Sequence, residues 1–158
     1  MIIYTDGACS KNGSAAAVGG FGVVVLDDNE NLITTYHKQN IGTTNNKEEL
    51  RAILWSMINY GNRFSTPPVV YSDSAYAVNT FNTWMFSWQK NGWFKSNGEI
   101  PENLEFIKAY YDLWIRGYRI DLRKCAGHAG NKWNEMADKL AVAAKDGPNI
   151  IISKGETK

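Results

Sequence analysis

The sequence holds only two cysteines, Cys9 and Cys125, with no CxxC pair and no Cys/His ligand spacing. This argues against a disulfide framework and a zinc site, and a reducing, cytoplasmic setting is the expectation. Long hydrophobic runs are missing too: no stretch approaches the ~18 apolar residues of a membrane span. The opening Met1-Ile2-Ile3-Tyr4-Thr5-Asp6-Gly7 has no basic segment ahead of an apolar one, so no secretory leader is expected. Nor is there an excess of one charge, since 17 basic and 16 acidic residues leave +1. Composition therefore gives no general case for nucleic-acid binding, and any such role must rest on local arrangement. Repeats and linkers are absent, and 158 residues with 44% apolar content suit one buried core but are too few for two ordinary domains.

What is present reads as alternating elements. Ile2 to Thr5, Phe21 to Leu26 and Leu32 to Lys38 are β-branched and predict three strands. A turn-rich connection, DGACSKNGSAAAVGG, joins the first two, and Asp27 to Asn31 form a hairpin loop before the third. From Asn45, the spacing of Leu50, Ile53, Leu54, Met57 and Ile58 predicts a helix capped by Thr44 or Asn45. Val69 to Ser72 predicts a strand, Ser74 to Phe81 a helix, Glu102 to Gly117 a helix and Tyr118 to Cys125 a last strand. A final helix carries Trp133, Met136, Ala137, Leu140, Ala141 and Ala144 and ends near Gly147 and Pro148. The order β-β-β-α-β-α-α-β-α implies an α/β fold with a five-stranded mixed sheet, three strands antiparallel and two parallel, flanked by helices. One domain is expected over residues 1–147, with a tail over 148–158.

Several carboxylates fall near element ends: Asp6, Glu48 and Glu49, Asp73, and Asp138 on the last helix. Hard divalent cations prefer such oxygen ligands. Singly, each has a stronger structural explanation: a turn at Asp6-Gly7, a cap at Asp73-Ser74, a solvated helix face at Asp138.

Together they resemble the type 1 ribonucleases H. The matching stretches are YTDGAC, GTTNNKEELRA, VVYSDSAYAV and AGHAGNKWNEMADKLA, in the family's order and over nearly the whole chain. The resemblance implies an RNase H-like fold and hydrolysis of the RNA strand of an RNA/DNA hybrid to 5′-phosphate and 3′-hydroxyl ends. It implies Asp6, Glu49, Asp73 and Asp138 as ligands of two Mg²⁺ ions, with Mn²⁺ an alternative and no organic cofactor. His128 would assist proton movement or product departure, while His37 is taken as incidental. Helix geometry also separates the neighbouring glutamates: Glu49 lies on the flank of the apolar stripe, Glu48 points more nearly to solvent, and Asn45 with Glu48 has the form of a capping pair.

For the substrate, the resemblance implies that Gly7, Ala8 and Cys9 let the backbone approach the RNA ribose, and that Glu49 also meets a 2′-hydroxyl. Asn12, Thr44, Asn45 and Asn103 match polar contacts to the hybrid backbone. The segment from Trp84 to Lys95 resembles a protruding basic handle, although Gln89 and Asn91 stand where such handles often carry Lys or Arg. This leaves Lys90, Trp93 and Lys95 to bind, with Trp84 and Trp88 expected to pack internally. A free-standing monomer is expected, without an additional hybrid-binding module. The alternatives are a catalytically silent hybrid-binding module and a DNA-directed nuclease of the same superfamily.

Overall fold

A computed structural model describes residues 1–63, 65–125 and 131–147. Strands β1 (Ile2–Ser10), β2 (Val18–Leu26) and β3 (Leu32–Ile41) form an antiparallel meander. Helix α1 (Asn45–Tyr60) crosses over to β4 (Val69–Ser72), which lies parallel to β1. Helices α2 (Ala75–Asn79), α3 (Met85–Lys90) and α4 (Leu104–Ile115) lead to β5 (Asp121–Lys124), parallel to β4, and α5 (Lys132–Asp146) is the last of the described elements. The sheet order β3-β2-β1-β4-β5 is the expected five-stranded mixed arrangement.

Strand β2 is buried along nearly all its length because helices cover both its faces. Its Phe21, Val23 and Val25 join Leu50, Ile53 and Met57 of α1 in the larger core, while Val24 and Leu26 meet Ala137 and Leu140 of α5 in a smaller one. The stretch read as turn-rich is mostly strand: β1 runs on to Ser10 and β2 begins at Val18. The glycines of β2 serve close packing. A Cβ on Gly20 would lie 2.7 Å from the Ala144 Cβ, and one on Gly22 would lie 2.6 Å from the Ala137 carbonyl oxygen. Only glycine lets α5 settle at this distance.

Two further boundaries differ from the sequence reading. The helix after β4 does not stop at Phe81 but continues through a π-helical turn, Thr80–Trp84, into α3. No glycine or proline interrupts residues 75–90, and the π turn absorbs one extra residue per turn without breaking the run. At the other end, β5 spans Asp121–Lys124, the described residues in register with β4, rather than starting at Tyr118.

Candidate active site

The C-terminal half of β1 places Asp6 in mid-strand, 5% exposed, on the sheet face that α5 covers. Gly7 follows on the opposite face, directly beneath α1, where a Cβ would sit 2.6 Å from the Glu49 backbone nitrogen. The missing side chain thus lets the first turns of α1 rest on the strand and sets Glu49 beside Asp6. Asp73 leaves the end of β4, one strand away, followed by Ser74, whose Oγ accepts from the Ala77 amide and caps α2.

One carboxylate oxygen from each of Asp6, Glu49 and Asp73 lies within 4.8 Å of the others. Asp138, on an exposed position of α5, joins them through a hydrogen bond with Asp6. Crowding has the expected electrostatic effect. Burial, then the Asp73 charge and the bond with Asp138, push the Asp6 pKa up to about 7, although the Gly7 amide donates to Asp6 Oδ1 at 2.9 Å. Glu49 is raised well above an ordinary glutamate, first by burial and then by the charges of Asp6 and Asp73.

The Oε1 atom of Glu49 is shut away from solvent and has no hydrogen-bond partner among the described residues. A buried carboxylate oxygen left in this state is unusual in a folded protein. An all-oxygen donor set with one unsatisfied buried oxygen fits a hard divalent cation such as Mg²⁺ or Mn²⁺ and suits soft metals poorly.

A polar groove of about 420 Å³ is lined by Asn12, Thr44, Asn45, Asn46, Glu102 and Asn103, with Thr44 and Asn45 at the start of the helix that carries Glu49. Four of the residues expected to meet substrate are therefore gathered in one place. The Thr44 hydroxyl accepts from the Lys47 amide at 3.0 Å and caps α1, while the Asn45 amide donates to Asn12 Oδ1 at 2.6 Å. Asn103 holds a left-handed backbone, φ 61°, and donates to the Tyr76 hydroxyl at 2.9 Å.

Residues 1–146 match the RNase H family profile. Ribonuclease H of Syntrophomonas wolfei is 38% identical over 148 residues, covering 89% of this chain and 92% of the relative. That of Mannheimia succiniciproducens is 36% identical over 152 residues, covering 94% and 89%. The chain belongs to the RNase H family. Among solved structures, LC9-RNase H1, described as a type 1 RNase H with the type 2 active-site motif, superposes with a TM-score of 0.78. It is 27% identical and covers 98% of this chain and 77% of that one. LC11-RNase H1, solved in complex with RNA/DNA hybrid, shares the fold with a TM-score of 0.65 at 23% identity, covering 92% and 96%.

Not every expected RNase H residue falls in the cluster or the groove. Ala8 lies half-buried on β1, and the Cys9 Sγ turns inward to the Thr43 carbonyl at 3.6 Å. Lys90 ends α3, and Trp93 packs edge-on against Tyr111 at 5.4 Å with Lys108 over its ring, so neither lines the polar groove. His128 and the tail lie outside the described residues.

Three sequence readings need correction. Glu48 does not point to solvent: it is fully buried, and its carboxylate accepts from Asn40 Nδ2 at 2.8 Å and Thr43 Oγ1 at 2.6 Å. The expected capping pair of Asn45 with Glu48 therefore does not form, because Thr44 is the cap. Trp84 is 40% exposed, lining with Trp88, Tyr76, Lys95, Ser96, Asn97 and Glu102 a second groove of about 370 Å³, whereas Trp88 does pack on the core. Tyr76 and Glu102 were not singled out from the sequence, although Tyr76 lies only three residues after Asp73.

Proposed function

We propose that the protein is a divalent-metal-dependent endonuclease that hydrolyses the RNA strand of RNA/DNA hybrids, leaving 5′-phosphate and 3′-hydroxyl ends. The observation that carries this reading is the Asp6, Glu49 and Asp73 cluster with its unpartnered buried oxygen. The RNase H family membership and the hybrid held by LC11-RNase H1 support the choice of substrate. Two Mg²⁺ ions, or Mn²⁺ in their place, held by Asp6, Glu49, Asp73 and Asp138, would activate water and stabilise the leaving 3′ oxygen.

The protein's own groups prepare that site. Asp6 is hydrogen-bonded to Glu49 and Asp138 and feels the charge of Asp73, so a bound cation would favour loss of its proton. Glu49 is held by the α1 turn on Gly7, so its free oxygen is fixed before any ligand arrives. Asn12, Thr44, Asn45 and Asn103 offer uncharged donors and acceptors for the hybrid backbone, and Gly7, Ala8 and Cys9 keep the strand beside the site narrow. Lys90, Trp93 and Lys95 would contact the flanking DNA, and His128 would move protons or help the product leave.

The test compares labelled RNA/DNA hybrid, single-stranded RNA, double-stranded RNA and duplex DNA, with Mg²⁺ or with EDTA, for wild type and Asp73→Asn. Hybrid-only cutting that needs metal and Asp73 is expected. Equal cutting of duplex DNA, or activity that survives the substitution, overturns the reading.

A further inference from the structure

Glu48 is a buried acid that this chemistry leaves unused. Its Oε1 accepts from Asn40 Nδ2 and its Oε2 from Thr43 Oγ1, and Arg51 Nε lies 3.1 Å from Oε2 as an ion pair. The partners come from three segments: the end of β3, the connection ahead of α1, and the next turn of α1. Enclosing a carboxylate is unfavourable unless its oxygens find donors, and an apolar side chain of similar size would fill the space without that requirement. What the donors hold in place is therefore informative.

Thr43 immediately precedes Thr44, which caps α1, and Asn45, whose amide meets Asn12. Arg51 continues past Glu48 to lie over the Phe106 ring, 4.8 Å from its centroid, and the Phe106 amide donates to the Asn103 carbonyl at 3.0 Å. Through Thr43 and Arg51, Glu48 thus reaches both walls of the polar groove. From below, Gly19 of β2 presses on the same network: a Cβ there would lie 2.6 Å from Thr43 Cγ2 and 3.0 Å from Glu48 Cγ.

We infer that Glu48 is a positioning residue for substrate: it fixes the 43–45 connection and the start of α4 at the separation the hybrid backbone requires. Adjacent glutamates then divide the work, Glu49 serving the carboxylate cluster and Glu48 the groove. The inference rests on the RNase H reading, and it places the effect of Glu48 in substrate affinity rather than in the chemical step.

The test measures steady-state cleavage of labelled hybrid for wild type, Glu48→Ala and Glu48→Gln, well below their melting temperatures. Hybrid binding is read separately by fluorescence anisotropy in an Asp73→Asn background. Glu48→Ala should raise KM and Kd about fivefold or more with kcat within about twofold, the pattern of lost uniform binding. Glu48→Gln, which keeps an acceptor for Asn40, should restore most of the loss, and the Asn45 amide resonance should shift in the alanine variant and return in the glutamine one. A folded Glu48→Ala protein with wild-type KM and Kd overturns the inference, as does a fall confined to kcat. If that variant does not fold, Thr43→Val and Asn40→Ala, each removing one donor, carry the same test, and unchanged binding in both overturns it. Failure of wild type to cut hybrid would defeat the functional reading alone, since the anisotropy arm still decides the role of Glu48.

Discussion

With its pKa pushed up to about 7, Asp6 in the metal-free protein keeps a proton that an ordinary aspartate releases near 3.8. Between those values the folded chain binds a proton that the unfolded chain has lost, so the contribution of Asp6 to stability falls as pH rises from about 4 to 7 and is flat above. Glu49 acts in the same direction. Metal-free melting temperatures measured from pH 4.5 to 7.5 should therefore decline. Asp6→Asn should flatten the decline and raise the value at pH 7.5 by several degrees, at roughly 2–4 °C per kcal/mol, while abolishing cleavage. Added Mg²⁺ should raise the wild-type value at pH 7.5; a metal-free melting temperature unchanged by Asp6→Asn would contradict the repulsion.

At the scale of elements, close helix-on-strand packing explains what the sequence reveals and what it conceals. The α1 stripe of Leu50, Ile53 and Met57 was legible because its period is local, as was Val69–Ser72. Glu48 was misread because its partners Asn40 and Thr43 belong to other segments, and no helical wheel shows that a carboxylate will be buried. Likewise, Gly19 and Gly20 fell in the stretch read as turn-rich, since the segments that demand their small size come from elsewhere in the chain. The cluster was legible only as four motifs read together. Gly22→Ala should destabilise the fold by about 1–3 kcal/mol through overpacking against α5. Thr44→Ala should cost about 1 kcal/mol through loss of the α1 cap. Urea unfolding checks both, and a neutral Gly22→Ala would mean that α5 can shift without cost.

For the whole molecule, the near-balance of charge meets a groove lined by asparagine and threonine, with Glu102 bordering both grooves. Such a groove would neutralise few phosphates, so the logarithm of hybrid affinity should fall gently with the logarithm of salt concentration. A slope implying six or more phosphate contacts, at about 0.9 per contact, would refute this. Glu102→Lys should tighten binding and steepen the slope, measured by the same anisotropy titration. A different consequence follows from where the acids lie in the chain. Asp6 belongs to β1 and Asp138 to α5, so the site joins the first and the last of the described elements. A growing chain would carry the first three carboxylates without the fourth, and a protein ended before Lys132 should cut no hybrid in a cleavage assay. Under the proposed function, hybrid cleavage would therefore require α5 to dock before the carboxylate set is whole.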